Sequence, residues 1–174
     1  MAAITVSLAT GTSTEARVRD QLLDLFGRHD LSKWQFTDHV RIEDGAISHS
    51  HPVLTLNTHY AEDDALLLAT YIHEQLHWWA SRSDLIETER EWRRRYPDVP
   101  VGFPEGCRTE KSNYLHFTVC HFEYAGLIAL IGPVEAQRVM EYSAQRPFYR
   151  YIYRTVLSDF QIMSAVVERF GLRL

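Results

Sequence analysis

The strongest constraint on this 174-residue chain is an unbroken run from Ala61 to Ala80 that carries His73-Glu74-Gln75-Leu76-His77 late in its length. No Gly or Pro interrupts it, and Leu68, Ile72, Leu76 and Trp79 recur at helical spacing. Asp63 and Asp64 place negative charge where the positive end of a helix dipole falls. The run therefore predicts a helix with one apolar face. On such a helix His73 and His77, four apart, project side by side, where two imidazoles can share one divalent cation at Zn–N distances of about 2.0–2.1 Å. Glu74 lies about 100° further around the axis. It flanks the pair, where a general base would stand to take a proton from water.

Composition narrows the setting. With 45% hydrophobic residues the chain can build one compact domain, 1–174, around a real core. A net charge of −5 gives no long-range pull toward nucleic acid. No stretch approaches 18 uninterrupted apolar residues, so no membrane span is expected. Met1 to Gly11 lacks a basic start and a long apolar core, so it does not read as a signal peptide. Cys107 and Cys120 are not spaced as Cys-x-x-Cys and read as free buried thiols. A cytoplasmic location follows as the expectation.

The N-terminal third alternates short strand and helix signals. Ile4 to Leu8 reads as a strand; Ser13 or Thr14 caps a helix to Phe26, with Gly27 ending it. Trp34 to Ile42 and Ala46 to Leu56 read as two strands joined at Glu43-Asp44-Gly45, a hairpin signal, with Pro52 pointing to an edge. An open edge there would suit pairing with an extended substrate, and equally a Pro-blunted edge would resist aggregation. His49, His51 and His59 flank this strand and read as solvated or hydrogen-bonded rather than as a second metal site.

The rest reads as helical. Asp84 to Tyr96 is a polar helix with a capping box from Asp84 and Glu87, and Pro97 to Lys111 is a loop that can wall or cover a site. Ser112 to Ile131 is an apolar helix stopped by Gly132-Pro133. On it His116, Cys120 and Glu123 share a face, and His121 points elsewhere. A carboxylate in so apolar a stretch costs free energy unless paired or metal-bound, which marks Glu123. Glu135 to Tyr142 and Pro147 to Phe170 complete the helices.

His73 to His77, on a helix behind an extended segment, resembles the active-site helix of the zincin-type metallopeptidases. The resemblance covers about a third of the chain. The metzincin branch requires Gly at 80 and His at 83, where this chain has Ala80 and Ser83. The pattern is more similar to the gluzincins, in which a Glu on a later helix completes the site, although His77 and Glu123 are unusually far apart. The resemblance implies an α+β zincin-like domain, with a small N-terminal sheet on the active-site helix and a helical C-terminal half. It implies a Zn2+ cofactor on His73, His77 and Glu123, with His116 and then His121 as alternative ligands or substrate contacts. Glu74 is the implied base, and Tyr153, Tyr149 or Arg150 the implied oxyanion stabiliser. The expected activity is hydrolysis of a peptide or small amide substrate. The rival is a two-histidine, one-carboxylate iron oxygenase or lyase acting on a small molecule.

Overall fold

The computed structural model describes residues 4–174, so the first three positions of the Met1–Gly11 segment lie outside it. The fold is α+β: a small N-terminal three-stranded parallel sheet, six helices, and a mostly helical C-terminal half. The chain divides into two compact units, Met1–Ser81 and Arg82–Leu174.

In the first unit β1 (Thr5–Leu8), β2 (His39–Ile42) and β3 (Leu54–Leu56) lie in that order, all parallel. Helix α1 (Ser13–Arg28) makes the crossover from β1 to β2, the kind of connection a parallel pair requires. Its cap is Thr12, one residue before the expected Ser13 or Thr14, with Oγ1 accepting from Glu15 N at 3.2 Å. Gly27 does not end it. The helix runs on to Arg28, and His29 N closes the last turn on Leu25 O at 3.0 Å. Glu15 is buried, and its carboxylate accepts from Thr10 N (3.0 Å), Gly11 N (2.7 Å) and Asp44 N (3.1 Å). This staples the turn after β1 to the turn after β2. Burial alone would raise the Glu15 pKa, but these donors outweigh it and hold it at about 2.

The Asp44-Gly45 turn does not make a hairpin. A hairpin would force β2 and β3 antiparallel, whereas they pair in parallel register, Val40 with Leu54 and Ile42 with Leu56. The chain from 43 to 53 instead makes an excursion that returns to the start of the sheet. On its way it crosses β3, and His49 and Thr55 form an antiparallel bridge, with N–H···O distances of 3.0 and 2.8 Å. The outward groups of Thr55 are thus taken, so of the two readings of this strand the open edge is not the one found at Thr55.

Helix α2 (Asp64–Ala80) follows β3, capped by Asp63 accepting from Leu66 N at 3.0 Å. Leu68, Ile72 and Leu76 are wholly buried, as their spacing predicts. Gln75, also wholly buried, satisfies all its hydrogen-bonding capacity. Its Oε1 accepts from Phe36 N (2.7 Å) and Thr37 N (2.9 Å), while Nε2 donates to Thr37 O (3.0 Å) and Tyr71 Oη (3.1 Å).

The second unit holds α3 (Ile86–Arg95), α4 (Glu110–Ile131), α5 (Pro133–Ser143) and α6 (Arg150–Arg169), with α4 packed on the other three. Asp84 and Glu87 form no capping box. The residue preceding α3 is Leu85, which has no side-chain cap, and Asp84 accepts from Ile86 N. Thr109 caps α4, and Gly132 at φ 81° separates α4 from α5, a conformation L side chains rarely adopt. By length and composition α4 is apolar enough to cross a membrane, yet most of that stretch is buried within the molecule. Trp92, Tyr114 and Phe117 are buried in the core, where Trp92 Nε1 donates to Thr118 Oγ1 at 2.9 Å. Tyr96 Oη donates to Asp159 Oδ2 at 2.9 Å, at the point where α6 departs from helical geometry.

The loop between α3 and α4 is tied down rather than free. Asn113 Nδ2 donates to Pro100 O at 2.9 Å, and Gly102 N to Cys107 O at 2.7 Å. No side chain caps α6; its leading N–H groups, of Arg150 and Tyr151, donate to Pro104 O (3.2 Å) and Glu105 O (2.9 Å). Gly106 fits only because it lacks a Cβ, which would stand 1.9 Å from Pro100 O.

Candidate metal centre

Helix α2 delivers the pair the motif promises. His73 is buried, His77 half-buried, and their Nε2 atoms lie 3.3 Å apart with ring centroids at 5.0 Å. Two nitrogens bound to one tetrahedral ion at 2.0–2.1 Å would stand about 3.3–3.4 Å apart. The spacing therefore matches that of two ligands of one cation. Glu74, next along the helix, is 8% exposed.

On α4, His116 is buried and fixed in one tautomer. Its Nδ1 lies 2.6 Å from Ser112 O, and a carbonyl only accepts, so Nδ1 carries the hydrogen. In the neutral ring Nε2 is then left with its lone pair, the form in which histidine binds a metal. The ring also stacks on Tyr149 at 4.0 Å. Further along the same face of α4, Cys120 and Glu123 are buried, and Tyr153 Oη of α6 donates to Glu123 Oε2 at 3.2 Å. Burial first, then the neighbouring Glu123 and Cys120, hold the Tyr153 pKa well above its ordinary value, so the hydroxyl keeps its proton.

Two groups among the described residues can hold a metal ion, each with one ligand atom per residue and all atoms within 4.8 Å of one another. The first is His73, His77 and His116; the second is His73, Cys120 and Glu123. Both draw on His73, and the group that keeps the two motif histidines together takes His116 as its third member. Cys120 was visible in the sequence only as the residue midway along the His116–Glu123 face. Neither thiol is in a disulfide; Cys120 is buried, as its sequence setting predicts, whereas Cys107 is only half-buried.

The other candidates lie outside both groups. His121 is buried against Phe160 at 5.0 Å with Nδ1 unpaired, and burial lowers its pKa to about 4. His49 Nδ1 sits 2.8 Å from Ile47 O, and His51 stacks on Trp78 at 4.2 Å. Those contacts fit the solvated, hydrogen-bonded reading. No protein-family model, no curated protein and no solved structure matches this chain.

Proposed function

We propose that the protein is a zinc-dependent hydrolase of peptide or small amide bonds, with His73, His77 and His116 holding the metal. The carrying observation is the 3.3 Å separation of the His73 and His77 Nε2 atoms, in a group completed by a histidine whose hydrogen is fixed on Nδ1. Three neutral imidazoles suit zinc, which in such a site acidifies a water molecule and polarises a carbonyl.

The chain's own groups do the remaining work. Glu74, fixed on α2 between the two motif histidines, accepts a proton from the attacking water and returns it to the leaving nitrogen. Glu123 is the third ligand by resemblance, but here it belongs to the group with His73 and Cys120 and is already engaged by Tyr153. We assign it to steadying His73, and Tyr153 to steadying Glu123 rather than an oxyanion. The iron-type triad would need Glu123 beside both His73 and His77, and neither candidate group combines those three residues.

Metal analysis of the wild type and three variants tests this. The wild type is expected to carry close to one zinc per chain, and His73→Ala and His116→Ala none. Glu123→Ala should bind zinc more weakly, by about 10- to 100-fold. Full zinc in His73→Ala would refute the site. A zinc-replete His116→Ala beside a metal-free Glu123→Ala would return the third place to Glu123.

A further inference from the structure

A line of rings leads away from His116 within the second unit. His116 stacks on Tyr149 (centroids 4.0 Å apart), Tyr149 neighbours Phe148 (6.4 Å), and Phe148 meets Phe103 edge-on (4.9 Å). The line starts buried and ends in solvent: His116 is 4% exposed, Phe148 36% and Phe103 46%. Arg108 lies over the outer ring, 5.9 Å from the Phe103 centroid. Single exposed apolar residues are ordinary, but adjoining rings that run continuously to a buried candidate ligand are a feature with a use.

The backbone beneath the rings is held. Phe103 is on the loop that donates Pro104 O and Glu105 O to the start of α6, and Tyr149 immediately precedes that helix. Tyr149 has φ 58°, a left-handed conformation that bulky residues rarely adopt. From it the tyrosine ring lies nearly flat on His116, at an interplanar angle of 20°.

We propose that Phe103, Phe148 and Tyr149 form the subsite that receives a flat apolar group of the substrate, an aromatic side chain adjoining the bond to be cleaved. The inference rests on the metal-hydrolase reading, since His116 is what joins the rings to the chemistry. The occupant follows from the wall. Offset and edge-on ring contacts favour an aromatic guest, and a half-exposed wall gains by being covered.

Two hydroxamates that share one metal-binding head provide the test, titrated into the zinc-loaded protein and read by calorimetry. N-hydroxy-3-phenylpropanamide should bind at least about tenfold more tightly than acetohydroxamic acid, the gain from covering one phenyl group. In Phe148→Ala and in Phe103→Ala that preference should shrink several-fold while acetohydroxamic acid binds as before, which also reports an intact fold. Equal affinity of the wild type for the two probes, or an undiminished preference in both variants, overturns the subsite and leaves the metal reading standing. Failure of both probes to bind overturns the metal reading and the subsite with it.

Discussion

Replacing Gln75 by Leu isolates what this variable position of the motif contributes. Gln75 lies between Glu74 and Leu76, wholly buried, and makes four hydrogen bonds, three of them to the backbone of Phe36 and Thr37. Leu has nearly the same volume and none of this capacity. At about 1 kcal/mol net per hydrogen bond the loss is about 4 kcal/mol. The greater apolarity of Leu returns about 1 kcal/mol, since the site is already shaped for a side chain of that size. The expected change is therefore a destabilisation of about 3 kcal/mol, read as a lower urea midpoint at unchanged slope. Hydrogen exchange gives the local signature: the Phe36 and Thr37 amides should lose protection more than the amides of α1. A loss below about 1 kcal/mol, or unchanged exchange at those two amides, would refute the reasoning, because it would mean water already serves these groups.

Three further outcomes are expected. Glu74→Gln keeps its shape and hydrogen bonding but not its basicity, so zinc should stay while turnover falls about 10²–10⁴-fold on a confirmed amide substrate. The folded Glu15 carboxyl titrates near 2, below its ordinary value, so it contributes stability above the ordinary carboxylate range and loses it as pH falls toward 2. Glu15→Gln should therefore be clearly less stable than wild type at pH 7, with the gap narrowing in melts at pH 3; a constant gap would dismiss the charge. Gly106→Ala should cost about 3 kcal/mol, because its methyl group meets the Pro100 carbonyl rather than a flexible side chain. Thermal unfolding measures it.

The helices were legible wherever one local device decided them. Ala61–Ala80 announced itself by apolar spacing and the acidic start, and α4 by the Gly132-Pro133 stop. Errors arose where two local signals competed or where a distant segment decided. Gly27 looked like a terminator, yet a helix can absorb one glycine in its last turn at about 1 kcal/mol. Asp44-Gly45 looked like a hairpin, and nothing local reveals that β3 is only three residues long and runs parallel to β2. The His73–His77 pair could be read directly because i, i+4 spacing on a helix fixes it. His116 could not be ranked against Glu123 from spacing, since both share one face of α4. The Ser112 carbonyl that fixes the His116 tautomer, and the Tyr153 hydroxyl on Glu123, are known only from the packed chain.

The start of α6 has a consequence in time as well as in space. A helix that opens with a Ser or Asp cap can begin its first turn on its own, using residues already at hand. Here the partners of the Arg150 and Tyr151 N–H groups are carbonyls of Pro104 and Glu105, far away along the chain, so a long loop must close before the turn is satisfied. That turn is therefore expected to complete late in folding. Changes at Glu105 or Arg150 that loosen this contact are accordingly expected to speed unfolding and leave the folding rate nearly unchanged, which the two limbs of a chevron plot would read.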